Sequence, residues 1–268
     1  MVLESGMLRD MPQEKQQLKT VVITGGATGI GFETARLLLD TKKYRLALVG
    51  RNRDHLETAA TKLGGSSDIL SVHVCDLSDS SQIKKTAEKI IGSYKGIYGL
   101  VNNAGIYPFG DLKTTTEKAW DETMNVNLKS VYLLTQALLP TMSKNPGGGR
   151  IVNVSSTAGI LPNHHALAYS VSKAALINLS RSLAKELGKD NITVNCICPG
   201  IVRSPLHEAY HQSRWEVEQF YAKRGAAYPL GRVGDPVDIA GAIRYFLSEE
   251  AAWVTGDVMI IDGGRLLT

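Results

Sequence analysis

The chain has 268 residues, of which 43% are hydrophobic and 21% charged, so it can bury a full core and is expected to be a soluble globular protein. Its formal net charge of +4 comes from scattered Lys and Arg among nearly as many acids, which argues against a nucleic-acid partner. The longest apolar runs are only strand-length, so no membrane-spanning segment is expected.

The first 18 residues mix charged with isolated apolar residues and lack the continuous apolar stretch of a secretory signal. We therefore expect a flexible leader at 1–18 and a single domain over 19–268. Three cysteines, Cys75, Cys196 and Cys198, form neither a disulfide framework nor a zinc pattern. This usage fits a reducing cytoplasm, and no metal site is expected.

From residue 20 onward, apolar β-branched runs alternate with segments of helical periodicity. This alternation predicts an α/β fold, in which a parallel sheet carries helices on both faces. The predicted strands are 20–24, 45–49, 69–75, 98–102, 150–155, 192–198 and 258–261. The predicted helices are 31–40, 53–63, 79–92, 117–143, 169–187 and 236–247.

A glycine-rich turn separates the first predicted strand from the first predicted helix. Gly25, Gly29 and Gly31 let the backbone turn tightly and approach a pyrophosphate, while the start of the helix presents unpaired N–H groups. The turn therefore predicts a dinucleotide-binding domain. The alternative is a purely steric turn, because connections of this kind also use glycine without any ligand.

Tyr169 and Lys173 are four residues apart at the start of a helical pattern, so their side chains share one helix face. A nearby ammonium favours the phenolate and would bring the tyrosine pKa, ordinarily about 10, closer to neutral pH. Ser156 follows the strand predicted at 150–155, at the edge where parallel sheets bind ligands, and its hydroxyl could polarise a carbonyl. The alternative for Tyr169 and Lys173 is a chance pair on a surface helix, and the alternative for Ser156 is a strand-end cap.

Together these motifs resemble the short-chain dehydrogenase/reductase family in its compact single-domain form, over about residues 18–264. The resemblance implies a Rossmann-type doubly wound parallel sheet of about seven strands. It also implies hydride exchange between a nicotinamide cofactor and a small-molecule carbonyl or secondary alcohol, and a homotetramer. The match is carried by the glycine turn at 24–31, Asn102-Asn103-Ala104-Gly105, Ser156, Tyr169-x-x-x-Lys173 and Pro199-Gly200, in the family's order and spacing.

The resemblance also assigns residue roles. It implies that Tyr169 is the general acid/base, that Ser156 holds the carbonyl, and that Lys173 lowers the tyrosine pKa and bonds the nicotinamide ribose. Asn127 matches an asparagine that kinks a helix and supports a water-mediated proton path to that lysine; otherwise it would be an ordinary polar helix residue. The implied cofactor-binding residues are Gly25, Thr28, Gly29, Ile30, Gly31, Arg51, Asp76, Leu77, Asn103, Ala104, Gly105, Tyr169, Lys173, Pro199, Gly200, Val202 and Ser204.

The end of the second predicted strand predicts the choice of cofactor. Gly50 stands where NAD-preferring relatives carry Asp, so no carboxylate repels a 2′-phosphate, and Arg51 can pair with one. NADP(H) is therefore favoured over NAD(H), although Thr28 stands where some NADP-binding relatives carry a second basic residue. Asp76 is expected to contact the adenine amine. The alternative for Arg51 is a solvated charge at a helix start, and the alternative for Asp76 is a helix cap.

Residues 203–230 interrupt the alternation of strands and helices with aromatic and charged residues, and we expect a substrate lid there that is mobile without ligand. Closure would bring Trp215 or Tyr221 toward the substrate. The candidates for the pocket wall are Tyr107, Pro108, Phe109, Ile160, Leu161, His164, His165 and Trp215.

Two rival functions remain open. A 3-oxoacyl-carrier-protein reductase would resemble this chain in its core, but Gly147 and Asp190 occupy positions where such enzymes commonly carry arginines for an acidic carrier protein; Lys144 and Lys189 stand close by. A non-catalytic nucleotide-sensing regulator would be expected to lack part of the set of four catalytic residues, and a methyltransferase would have no use for the Tyr–Lys pair.

Overall fold

The structure is a computed structural model that describes residues 18–94, 96–145 and 147–268. Residues 1–17 of the leader expected at 1–18 lie outside the described residues. Seven parallel strands form one sheet in the order β3-β2-β1-β4-β5-β6-β7. The strands are β1 (Lys19–Thr24), β2 (Tyr44–Gly50), β3 (Leu70–Val74), β4 (Gly99–Asn102), β5 (Gly149–Val154), β6 (Ile192–Pro199) and β7 (Val258–Ile261).

Helices connect the strands, and the predicted Rossmann-type α/β sheet of about seven strands is confirmed. Each predicted strand and each predicted helix has a counterpart whose bounds agree to within two residues, apart from one interrupted helix. The helices are α1 (Gly29–Asp40), α2 (Arg53–Leu63), α3 (Ser80–Ser93), α4 (Glu117–Met124), α5 (Ser130–Met142), α6 (Leu167–Leu187), α7 (Pro205–Glu208), α8 (Arg214–Gly225) and α9 (Pro236–Leu247).

The sheet buries both of its faces. Along β1, Val21 and Ile23 point into one apolar cluster and Val22 into the other, as the period of two in a strand requires. The strand order reverses at β1, which pairs with β2 on one side and with β4 on the other. Doubly wound sheets bind ligands in the crevice outside the carboxyl ends of the strands at such a reversal.

The helix predicted at 117–143 is interrupted. A single π-helical turn, Asn125–Lys129, separates α4 from α5, and single π turns inside helices are frequent at functional sites. The start of α4 agrees with the sequence, because the Thr116 side chain accepts a hydrogen bond from the backbone N–H of Ala119 at 3.2 Å.

The segment 203–230 carries helical structure, namely α7 and α8. Within residues 18–94, 96–145 and 147–268, every helix is too short or too polar to cross a membrane. The same described residues contain no group of three or more His, Cys, Asp or Glu side chains that could hold a metal ion.

Candidate active site

A glycine cradle opens at the reversal point of the sheet. Gly25 and Gly29 have positive φ angles of 64° and 54°, which favour glycine, and a Cβ on Gly31 would lie 2.2 Å from the Gly25 carbonyl oxygen. The Asn103 side-chain amide donates to the carbonyl oxygens of Thr24 and Gly25, at 3.0 and 3.2 Å, and so ties the end of β4 to this turn. The start of α1 therefore faces open space beside two strand ends.

A cleft that is open to solvent extends from this cradle. Most of the residues predicted to bind cofactor or substrate line it. They are Gly25, Thr28, Gly29, Ile30, Asn103, Ala104, Gly105, Ser156, Tyr169, Lys173, Pro199, Gly200, Val202 and Ser204. Outside the lining lie Gly31, Arg51, Asp76, Leu77 and Asn127, of which Gly31, Leu77 and Asn127 are buried behind other residues.

Tyr169 and Lys173 lie one helical turn apart near the start of α6, and both are almost fully buried. The Lys173 Nζ atom donates to the Val154 carbonyl oxygen at 2.9 Å and lies 5.6 Å from the centroid of the Tyr169 ring. The Ser156 hydroxyl accepts from the Ala158 N–H at 3.1 Å, which is the cap interaction expected of a strand-end serine, and it also lines the cleft. The three side chains therefore face the same space.

Burial dominates the acid–base properties of this group. It raises the pKa of Tyr169 to about 12, with the Ser156 hydroxyl acting in the opposite direction, and it lowers the pKa of Lys173 to about 8. The sequence led us to expect a tyrosine pKa lowered by the neighbouring ammonium. In this arrangement the pKa shift has the opposite sign, because both side chains are desolvated and Lys173 directs its ammonium at a backbone carbonyl.

Asn127 lies in the π-helical turn and is completely buried. Its side chain accepts from the Ile106 N–H at 2.8 Å, donates to the Ile106 carbonyl oxygen at 2.9 Å and donates to the Ser172 hydroxyl at 3.1 Å. A Cβ placed on Gly105 would be 3.3 Å from the Asn127 Oδ1 atom and 3.5 Å from the Lys173 Nζ atom. Gly105 thus lies against both Asn127 and the ammonium of Lys173.

The far end of the crevice holds Arg51 and Asp76. Arg51 is exposed, and no carboxylate of the described residues lies within 4.0 Å of its guanidinium. The Asp76 carboxylate accepts from the N–H and hydroxyl of Ser78, at 2.9 and 2.8 Å. These two hydrogen bonds hold the pKa of Asp76 below its usual range, and the Arg51 charge acts in the same direction.

The segment 203–230 contains the two aromatic residues that were expected to move toward the substrate on closure. Tyr221 is buried and its hydroxyl accepts from the Ser204 N–H at 3.0 Å, so it supports the loop after β6 from behind. Trp215 is 71% exposed and does not line the cleft, because six residues along α8 rotate it away from the face that carries Tyr221. Neither aromatic residue is directed at the substrate space.

The other candidate wall residues also lie outside the cleft lining, namely Tyr107, Pro108, Phe109, Ile160, Leu161, His164 and His165. Other residues line the cleft that sequence reasoning had not selected. They are Val154, Ser155, Pro205, Leu206 and His207. The strand-end positions of Val154 and Ser155 were visible in the sequence, whereas the approach of His207 depends on how α7 folds back over the sheet.

A family model described as enoyl-(acyl carrier protein) reductase matches residues 25–265. The chain belongs to the short-chain dehydrogenase/reductase family of oxidoreductases. It is 36% identical to a 3-oxoacyl-(acyl-carrier-protein) reductase of Thermotoga maritima, over 93% of this chain and 98% of that protein. It is 32% identical to human dehydrogenase/reductase SDR family member 4, over 97% of this chain and 91% of that protein.

Solved structures show the same fold. Levodione reductase superposes with a TM-score of 0.84 at 28% identity, covering 93% of this chain and 98% of its own. Ligand-free aldohexose dehydrogenase of Thermoplasma acidophilum gives a TM-score of 0.84 at 27% identity, with 94% and 96% covered. Both neighbours are oxidoreductases by name.

Proposed function

We propose that this protein is an NADP(H)-dependent oxidoreductase that acts on a small-molecule carbonyl or secondary alcohol. The observation that carries the proposal is the buried Tyr169–Lys173 pair, which opens together with Ser156 onto the glycine cradle at the reversal point of the sheet. A binding module would have no use for a desolvated tyrosine beside a lysine at that place.

The cradle fits a dinucleotide. Side chains are absent where Gly25, Gly29 and Gly31 approach the start of α1, and the Thr28 N-cap leaves its side chain free of a capping bond. The N–H groups of the first helical turn can therefore donate hydrogen bonds to phosphate oxygens. When bound, the nicotinamide supplies or accepts the hydride. Ser204 and Lys173 are proposed to bond its carboxamide and its ribose.

Tyr169 is proposed to transfer the proton. A pKa of about 12 keeps its hydroxyl protonated at neutral pH, so it can donate to a carbonyl oxygen as negative charge develops there. Ser156 provides a second hydroxyl donor to the same oxygen. This protonation state favours carbonyl reduction at neutral pH, whereas alcohol oxidation requires the phenolate.

Lys173 and Asn127 are proposed to resupply the proton. The Asn127 side chain is fully engaged with Ile106 and Ser172 and holds the π-helical turn open, so that backbone carbonyls of this turn can bond a water. Gly105 leaves space between Asn127 and the Lys173 ammonium. A water in that space would connect solvent to Lys173, and Asn127 would act as a positioning residue.

The preference for NADP(H) is proposed from Arg51 and Gly50. Arg51 is exposed beside the end of β2, and an unpaired guanidinium suits a phosphate dianion. Asp76 and Leu77 would bound the adenine, with Asp76 held as a carboxylate by Ser78. Each of these assignments rests on placement in the crevice.

Assembly, compartment and domain organisation are also proposals. Family membership supports a homotetramer, and three buried free cysteines are consistent with a reducing cytoplasm. We propose that 19–268 act as one catalytic domain, in which 203–230 cover the substrate. No nucleic-acid or membrane partner is proposed.

The second candidate is a 3-oxoacyl-carrier-protein reductase, which the Thermotoga maritima relative favours. Lys144 and Lys189 are exposed and could receive an acidic carrier protein, while Gly147 and Asp190 provide no cation. A nucleotide-sensing regulator is the third candidate. The complete set of Asn127, Ser156, Tyr169 and Lys173 favours catalysis over that role.

The proposal is tested by following NADPH absorbance with ketones, sugars, steroids and acyl thioesters, each also offered with NADH. We expect turnover of at least one carbonyl with NADPH that Tyr169→Phe removes. Acyl thioesters should be offered on the carrier protein and on a short thiol. A strong preference for the carrier-bound form would replace the first candidate with the second, and tight NADPH binding without any turnover would favour the regulator.

A further inference from the structure

The chain just after β5 holds Lys173 at two points. The Lys173 Nζ atom donates to the Val154 carbonyl oxygen at 2.9 Å, and the Ser155 hydroxyl donates to the Lys173 carbonyl oxygen at 2.8 Å. The Ser155 N–H in turn donates to the Ile197 carbonyl oxygen of β6 at 2.7 Å. Ser155 and Lys173 are each only 3% exposed. Two consecutive residues therefore bind the side chain and the main chain of the same buried lysine.

Gly159 brings the turn that follows against the same point of α6. It ends a single 3₁₀ turn, Thr157–Gly159. A Cβ on Gly159 would lie 2.7 Å from the Lys173 carbonyl carbon and 2.8 Å from the Ala174 backbone nitrogen. Carbon atoms in favourable contact are ~3.5–4.0 Å apart, so a residue with a side chain could not approach the helix this closely. The turn and α6 are thus in direct backbone contact at Lys173.

Ser156 lies between these two contacts. Its carbonyl oxygen accepts from the Gly159 N–H at 3.0 Å, so the turn is closed by a hydrogen bond of its own. The proposed proton donor, Tyr169, and Lys173 both lie on α6. A shift of the turn relative to α6 would therefore change the distance from Ser156 to both of them.

We propose that Ser155 and Gly159, which we call the lysine clamp, are positioning residues that lock the turn carrying Ser156 to the part of α6 that carries Lys173. The proposal rests on the carbonyl chemistry proposed above, in which Ser156 and Tyr169 reach the same substrate oxygen. Ser155 lines the cleft, but its one hydroxyl proton is committed to the Lys173 carbonyl oxygen. It acts through Lys173 and Ser156 and is not a donor to the substrate.

Ser155→Ala tests the hydrogen bond of the clamp. We expect kcat to fall about 2- to 10-fold, the equivalent of one hydrogen bond, with KM for the carbonyl substrate unchanged. The matched control is Ser180→Ala. The Ser180 hydroxyl is also buried and donates to a backbone carbonyl of α6, that of Leu176 at 2.7 Å, but Ser180 lies about two helical turns from Lys173 and outside the cleft lining. The control should keep the parental kcat, and equal losses would overturn the role of Ser155.

Gly159→Ala tests the backbone contact. The added Cβ must retreat by roughly 1 Å to reach an ordinary contact distance, and a misplacement of that size can cost about 100-fold in rate. We expect kcat to fall by at least about 10-fold. The matched control is Gly188→Ala at the end of the same helix, where a Cβ would meet nothing within 4 Å. Parental kcat in Gly159→Ala would overturn the role of Gly159.

A measurement without turnover tests the same contact. Acetic anhydride acylates only a neutral amine, so the pH dependence of Lys173 labelling, located by mass spectrometry, reports the Lys173 pKa. Burial lowers this pKa to about 8. Water admitted between the turn and α6 should move it toward the ordinary 10.5 in Gly159→Ala but not in Gly188→Ala. The other titratable groups that face Lys173 are the same in every variant, namely Tyr169 on α6 and Cys196 and Cys198 on β6. An unshifted midpoint in Gly159→Ala would overturn the clamp.

The clamp and the proposed function fail in different ways. Wild-type turnover that Tyr169→Phe removes, but that both clamp variants keep at the level of their controls, would overturn only the clamp. Absence of turnover on every carbonyl would contradict the proposed function, and the labelling of Lys173 would then decide the clamp alone. Ser155→Ala adds no atom to the buried site, so it still tests the clamp if Gly159→Ala does not fold.

Discussion

The ring of Tyr107 stands edge-on to the ring of Tyr169, with the centroids 4.5 Å apart and the planes at 80°. Tyr107 lies in the loop after β4, whereas Tyr169 lies on α6, so this contact fixes the proposed acid against a different element of the fold. The Tyr169 side chain is therefore held by ring packing on the side that faces Tyr107.

This contact predicts the behaviour of Tyr107→Leu. Loss of the aromatic pair should lower kcat about 2- to 10-fold on every substrate, because an edge-to-face pair contributes ~0.5–1.5 kcal/mol. The dissociation constant of NADPH should stay near the parent value. Tyr107→Phe is the matched control, since it keeps the ring and loses only the hydroxyl that accepts from Asn163. Similar losses in kcat for both variants would assign the effect to that hydroxyl.

Arg51→Ala should weaken NADPH binding selectively. An Arg–phosphate pair is worth roughly 1.5–3 kcal/mol, or about 10- to 150-fold in affinity, while NADH has no 2′-phosphate to lose. Arg53→Ala is the control, because Arg53 pairs with Glu57 at 3.3 Å. Dissociation constants from nicotinamide fluorescence measure both variants. Unchanged NADPH affinity in Arg51→Ala would mean that Arg51 is only a solvated charge.

Gly50→Asp should push the cofactor preference toward NADH. A Cβ on Gly50 would make ordinary van der Waals contact with Leu56, 3.4 Å from its Cδ2 atom, so the backbone tolerates a side chain at this position. The carboxylate would accept from a ribose hydroxyl and repel a 2′-phosphate. The ratio of kcat/KM values for NADPH and NADH should fall about 10-fold or more. An unchanged ratio of these kcat/KM values would mean that the adenosine ribose does not lie next to Gly50.

The pKa of Lys173 predicts a pH limit. The charged form is present below a pKa of about 8, so kcat/KM for NADPH should fall as pH rises through this value. Lys173→Met should abolish this dependence and impair both rate and cofactor binding. Lys185→Met, at an exposed position on the same helix, should leave the profile unchanged. A wild-type profile that stays flat up to the ordinary lysine pKa of 10.5 would contradict this assignment.

Tyr221→Phe should destabilise the protein. The variant leaves the part-buried Ser204 N–H without its partner at 3.0 Å, and the loss of such a hydrogen bond costs about 0.5–1.5 kcal/mol in the free energy of unfolding. Tyr210→Phe removes a hydroxyl that donates to the Tyr107 carbonyl oxygen at an exposed position, where water can replace it, and should cost less than about 0.5 kcal/mol. Urea unfolding compares the two variants, and equal costs would show that Tyr221 does not support the loop.

Local patterns were enough to predict much of the fold. The period of two in the strands and the glycine turn identified β1, α1 and the cofactor crevice, because these features depend on neighbouring residues. The interruption at Asn125–Lys129 and the inward position of Tyr221 depend on contacts with distant elements. His207 falls within the segment 203–230 that the sequence assigned to the substrate, but nothing in the sequence distinguished it from its neighbours as a cleft residue.

The sign of the Tyr169 pKa shift shows the same limit. Spacing on a helix correctly placed Lys173 on the face that carries Tyr169, but spacing contains no information on burial. Burial raises the pKa of Tyr169, and the Lys173 ammonium donates a hydrogen bond to the Val154 carbonyl oxygen. The spacing therefore predicted where the pair lies but not the sign of the tyrosine pKa shift.

The most direct test of the central claim is the turnover of Tyr169→Phe, measured beside its affinity for NADPH. The variant keeps the ring that packs against Tyr107 and removes only the hydroxyl that is proposed to protonate the substrate. General acid–base groups contribute ~10²–10⁴-fold, so kcat should fall by at least about 100-fold while the NADPH dissociation constant stays close to the parent value. A variant that retained half of the parental turnover would contradict the assignment of Tyr169 as the proton donor.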